Sequence, residues 1–165
     1  MQMRPFIDQD ARTIVSWIKD EKTFFQWSAS VYGFYPISPQ DMIDLYRLHQ
    51  EDNWFFPFTF VQEHTVIGHL IFRYTNPAYT HVRIGFVIKD PNIPHLGGKM
   101  LEMAVLYAIE FLGAQQVDLG VFDNNPRAIA CYKKVGFEIG REEEPITLMD
   151  SLWTSHQMVY KIERE

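Results

Sequence analysis

The chain has 165 residues, 47% of them hydrophobic and 22% charged, which is enough for one domain, 1–165, with a full core. A formal net charge of -6 excludes nucleic acid as the main partner, because a phosphate backbone calls for clustered Lys and Arg. The single cysteine, Cys131, excludes an intramolecular disulfide and a cysteine-rich metal site. No apolar run reaches membrane-spanning length and MQMRPFIDQD lacks a signal-peptide core, so the expectation is a cytoplasmic protein with no membrane partner.

In chain order, Met3 to Ile7 reads as a first strand, and Asp8 or Asp10 then caps a helix with Ile14, Val15, Trp17 and Ile18 at helical spacing. Phe24 to Pro36 is dense in aromatics and carries Gly33 and Pro36, which reads as a loop. Ser38-Pro39-Gln40-Asp41 is a helix start, with Met42, Leu45, Tyr46 and Leu48 as its buried face. Phe55 to Val61 and Thr65 to Tyr74 are two strands joined by a turn at Gln62, Glu63 and His64. His81 to Lys89 is a third strand, and Gly85 inside it marks a bulge or a close backbone approach.

KDPNIPHLGGKM follows, with Gly97 and Gly98 where the chain turns into a helix whose apolar stripe runs from Met100 to Leu112 and stops at Gly113. Such a joint either holds a phosphate on the helix N-terminus or is a plain turn. Val117 to Phe122 is a short buried strand, and Asn124-Asn125-Pro126 opens a helix closed by Gly136. Phe137 to Gly140 and Ser155 to Ile162 form a last strand pair. The order predicts a mixed α/β sheet with helices packed against it.

VRIGFVIKDPNIPHLGGKML followed by VDLGVFDNNPRAIACYKKVGFE resembles the GNAT superfamily of N-acetyltransferases, the second segment through Asn125, Ala128, Ile129, Tyr132, Gly136 and Phe137. The resemblance implies a central, mostly antiparallel mixed sheet with helices on both faces. It implies transfer of an acetyl group from acetyl-CoA to a primary amine, on a small molecule or a peptide, by direct attack in a ternary complex. The alternative within this fold is a non-catalytic acyl-CoA sensor. No metal is implied, and a homodimer stays open as an assembly.

Residue by residue, the resemblance places the pantetheine arm along Phe86, Val87 and Ile88, and the pyrophosphate at Asn92, His95, Leu96, Gly97, Gly98, Lys99 and Met100. The family's first loop glycine is His95 here, and Pro94 offers no N–H; the His95 ring then stands in toward the phosphate. Asn125 and Ala128 would contact the cofactor, and Asn125 alone also reads as a helix cap. Tyr132 is the expected general acid, since a phenol can protonate the departing thiolate; on its own it reads as an amphipathic core tyrosine.

Cys131 has no identifiable base nearby and reads as a buried small residue. Many family members carry a glutamate where this chain has Arg83. Glu63, His69 and His81 on or beside the neighbouring strands are candidate bases, and proton loss through bound water is the alternative. Trp27, Tyr32, Phe34, Tyr35 and Trp54 are candidates for an acceptor pocket or for the core.

Overall fold

A computed structural model describes residues 1–163. Its centre is a seven-stranded sheet in the order β1-β2-β3-β4-β5-β9-β6. The strands are β1 (Gln2–Pro5), β2 (Phe55–Gln62), β3 (Thr65–Tyr74), β4 (His81–Lys89), β5 (Gln116–Phe122), β6 (Phe137–Glu142) and β9 (Ser155–Tyr160). β7 (Ile146–Leu148) and β8 (Ser151–Trp153) form a separate hairpin. Among the described strands only β4 and β5 run parallel; the remaining pairs are antiparallel.

Helices cover both faces. On one side α4 (Leu96–Glu110) and α5 (Pro126–Val135) pack over Phe60, Leu70, Phe72, Ile84, Leu119 and Met158. On the other, α1 (Ala11–Ser16), α2 (Glu21–Ser28) and α3 (Pro39–Leu48) bury Ile14, Phe24, Met42 and Tyr46 against Phe55, Ile71 and Phe122. Alternation along the strands assigns neighbouring residues to opposite layers: Leu70 and Phe72 face α4, and Ile71 faces α3. This is the mixed, helix-flanked sheet expected from the sequence.

Four local expectations are corrected. Phe24 to Ser28 belongs to α2, started by Asp20, whose carboxylate accepts the Thr23 N–H at 2.8 Å; the aromatics that made this stretch look irregular are its buried face. Leu48 is 79% exposed because α3 ends there and turns it outward. Asp10 does not cap α1. It is buried at 2% exposure and accepts a bidentate pair from Arg4 at 2.8 Å together with the Thr59 hydroxyl. Burial alone would raise its pKa; Arg4, the Ile7 N–H and Thr59 outweigh that and hold the carboxyl below its ordinary value. Finally, the last strands run Phe137–Glu142 and Ser155–Tyr160, with β9 inserted between β5 and β6. The α3 start is as read: Ser38 and Asp41 exchange backbone and side-chain hydrogen bonds in a capping box.

The expected bulge is present, one residue later than the glycine. β3 and β4 lose register between His69 and Ile71, and Phe86 takes up the extra residue at φ 51°. The slip reverses the side-chain phase of β4. Before it, Val82 and Ile84 face α4; after it, Phe86 and Ile88 face α2, and Val87 faces α4.

Candidate active site

The same bulge opens the sheet. β4 pairs with β5 only from His81↔Gln116 to Ile84↔Leu119, so beyond Ile84 no strand among the described residues lies beside the β4 edge on the β5 side. A cleft of about 140 Å³ occupies this splay, lined by Gly85, Phe86, Val87, Ile88, Leu119, Gly120, Asn125 and Tyr132, with Thr23, Gln26 and Trp27 of α2 above. An unpaired strand edge facing a cleft can take up an extended ligand by backbone hydrogen bonds.

Beyond β4 the chain turns through Asp90 to His95 into α4. The helix begins at Leu96, so Gly97 and Gly98 lie inside its first turn and His95 is the residue that makes the turn, at φ 58° and ψ 15°. This corrects the expectation that the glycines make the joint. Among the described residues no side chain caps the first N–H groups of α4, which leaves them and the positive end of the helix dipole open to an anion. Gly97 brings the helix close to α5: a Cβ there would sit 3.5 Å from Cys131 Sγ.

Leu96 and Met100 bury their side chains in the core and offer only backbone to a ligand, whereas Asn92, His95 and Lys99 are exposed. Lys89, at the end of β4, donates to the Asp90 and Ile93 carbonyls at 3.3 and 2.9 Å and so braces the loop.

On α5, Asn125 is the N-cap, its side chain accepting the Ala128 N–H at 3.3 Å, and it lines the cleft as well. Ala128 packs on the core layer beneath. Burial, with the Cys131 thiol beside it, holds the Tyr132 phenol well above its ordinary range, so it stays protonated at working pH. Burial also pushes the Cys131 thiol up against nearby Lys89 and Lys134, which disfavours the thiolate a nucleophile requires.

A second cavity of about 370 Å³ joins the cleft at Gly85, Phe86, Gly120 and Trp27 and extends toward α3. Of the aromatics singled out in the sequence, Trp27 and Trp54 line it. Tyr32 stacks behind Trp27 and Phe86, Tyr35 packs on Phe24, and Phe34 is 52% exposed.

Arg83 reaches into this cavity and donates to Glu143 through both guanidinium nitrogens at 3.0 and 3.1 Å, with Asp118 3.7 Å from its Nε. The carboxylate that meets Arg83 comes from the segment after β6. Glu143 is held there by its own N–H donating to the Ser155 carbonyl at 2.9 Å. Gly120 makes the room. A Cβ there would meet Glu143 Oε1 at 2.9 Å and Arg83 Nη2 at 3.1 Å.

None of the three candidate bases lines either cavity. Glu63 lies exposed in the β2–β3 turn, and His81 sits at the start of β4, opposite Gln116. His69 is fully buried and hydrogen-bonded to the Tyr46 hydroxyl at 2.6 Å, and burial drives its pKa down to about 3. The titratable side chains that do line the larger cavity are His49, Arg73, Arg83 and Glu143. His49 Nδ1 lies 2.8 Å from Asp52. Sequence alone carried no local signal for them, since they come from four separate elements.

The model of the acetyltransferase (GNAT) family matches residues 13–137. No curated protein sequence matches the chain. Among solved structures, the spermidine N-acetyltransferase of Vibrio cholerae in complex with CoA and spermine superposes with a TM-score of 0.79 at 18% identity, over 96% of this chain and 93% of that one. A chimera of that enzyme with hSSAT gives 0.78 at 18% identity over 97% and 95%. At such identity the likeness carries the fold.

Proposed function

The chain belongs to the acetyltransferase (GNAT) family, as an acetyl-CoA-dependent N-acetyltransferase, and from that premise we propose that it acetylates the primary amine of a small molecule by direct attack within a ternary complex. In this reading 1–165 is one acetyltransferase domain. The observation that carries the reading is the meeting of two cavities at the β4–β5 splay, one beside the α4 N-terminus and one beside Arg83 and Glu143. A donor and an acceptor can then be held together before any bond changes, which removes much of the entropic cost of the encounter.

The residues fit an elongated anionic thioester. The open edge of β4 from Gly85 to Ile88 takes the arm by backbone pairing, and the uncapped first turn of α4 takes the phosphates, with His95 at its entrance. Asn125 and Tyr132 close the far wall of the cleft. Acetyl-CoA supplies an acyl carbon activated as a thioester. The unprotonated acceptor nitrogen attacks that carbon, so a C–N bond forms as the C–S bond breaks. The nitrogen gives up one proton to bound water, the sulfur gains one from the protein, and solvent then restores the donor's proton. Tyr132 is the group of this chain that supplies the proton to sulfur, from a phenol that keeps it until charge develops there. A role in sensing alone would have no use for that phenol in the cleft.

Calorimetry with acetyl-CoA, followed by an amine screen for release of free CoA thiol, tests the reading. Acetyl-CoA binding with thiol release dependent on an amine is expected; no binding up to millimolar concentration would sink it.

A further inference from the structure

Arg73 and Arg83 stand directly opposite one another on β3 and β4, and both line the larger cavity. Like charges in facing strand positions repel, so the pair needs compensation. Arg83 has it: its fork is filled by Glu143, and Asp118 lies beside its Nε. Arg73 does not. Among the described residues it forms no ion pair and no side-chain hydrogen bond. Burial and the neighbouring Arg83 push its pKa down, against the weaker pull of Asp118 and Glu143. A half-buried guanidinium facing a cavity with its donors unspent is a site for an anion, and its planar fork matches a carboxylate.

We propose that the acceptor is an amine that also carries a carboxylate, bound by Arg73, with an apolar body between the cavity's aromatic walls. Trp27, Trp54, Phe55 and Phe122 supply those walls. A polyamine fits poorly. It would bring further positive charge against two guanidiniums, while the one carboxylate that lines the cavity among the described residues is already held by Arg83. The inference rests on the acetyl transfer proposed above and narrows its acceptor.

Matched pairs of aromatic and aliphatic amino acids and their decarboxylated amines, for example phenylalanine and phenethylamine, test it alongside spermidine. With the wild-type protein the carboxylate-bearing member should lead in kcat/KM by about tenfold to a hundredfold, mainly through KM. Arg73→Gln should bring that ratio to within about twofold, and Arg73→Lys should keep part of it. Retained acetyl-CoA affinity shows that each variant is folded. Equal or better use of decarboxylated amines or spermidine by the wild type would overturn the inference, as would an Arg73→Gln variant that keeps the preference. Acetylation of no member of the set would overturn it as well. Acetyl-CoA binding in the same samples then tells the two failures apart: if binding persists only the acceptor assignment falls, and if it is absent the acetyltransferase reading falls too.

Discussion

Arg83 and Glu143 lie 60 positions apart in the chain and meet in a bidentate ion pair, at 3.0 and 3.1 Å, across the glycine at position 120. The pair is mostly shielded, with side-chain exposures of 18% and 22%, so it is worth more than a surface bridge, and breaking one side leaves a desolvated charge behind. It forms the floor of the larger cavity at its junction with the cleft.

Gly120→Ala should disturb this floor without touching the fold elsewhere, because the new methyl would stand 2.9 Å from Glu143 Oε1. The carboxylate must then move, and a loss of about 1 kcal/mol in stability is expected. Acceptor KM should rise severalfold with a smaller loss of acetyl-CoA affinity, since Gly120 also borders the cleft, as calorimetry and steady-state kinetics would read. Glu143→Ala should act in the same direction and more strongly, since it removes the carboxylate that fixes the Arg83 fork and leaves only Asp118, 3.7 Å from its Nε. Equal loss of acetyl-CoA binding in both variants would place the pair on the donor side instead.

Tyr132→Phe keeps the ring and its packing against Phe137 and removes the hydroxyl alone. Acetyl-CoA affinity and melting temperature should hold, and kcat should fall about a hundredfold, or roughly 3 kcal/mol of barrier. The deficit should shrink for an acyl donor whose leaving thiol is more acidic. An unchanged kcat with chemistry rate-limiting would remove the phenol from the mechanism.

His95 makes the left-handed turn that a glycine would make at lower cost. Relief of that backbone cost should make His95→Gly more stable by about 0.5–1 kcal/mol, while His95→Ala keeps the strain and gains nothing. If the ring also serves the phosphates, the glycine variant will melt higher and bind acetyl-CoA more weakly. Tighter binding by His95→Gly would show that the ring obstructs the site.

His69 links stability to pH. Its pKa in the folded protein is about 3, below the ordinary value of about 6.5 expected when unfolded. Above pH 6.5 both states are neutral there and the group has no effect. As pH falls below 6.5 the unfolded chain takes up a proton that the folded protein refuses. Stability should therefore drop by up to about 1.4 kcal/mol per pH unit through the window between 6.5 and 3. Urea unfolding at pH 7, 6 and 5 would measure it. His69→Gln, which retains a polar partner for the Tyr46 hydroxyl, should flatten that slope at some cost at pH 7. An identical slope in the variant would assign the acid sensitivity elsewhere.

Features set by neighbouring residues were legible in the sequence. The apolar stripe of α4, the Ser38–Asp41 capping box, the Asn125-Pro126 start of α5 and the bulge beside Gly85 all depend on contacts within a few positions, and all stand where the pattern put them. All of these but the capping box lie in the segments that carried the family resemblance. Three things were decided only in three dimensions. Aromatic crowding hid α2, because Phe24, Phe25 and Trp27 look irregular until a sheet is present to bury them. The left-handed turn fell on His95, since the open backbone at Gly97 and Gly98 was spent on bringing α4 against α5. The charged floor of the larger cavity has no local signature at all. Arg73, Arg83 and Glu143 belong to β3, β4 and the segment after β6, and they converge because β9 inserts between β5 and β6 and ties Glu143 to Ser155. Periodicity and capping record the chain's short-range energetics; a charge pair across a sheet is set by topology, which no window of sequence contains.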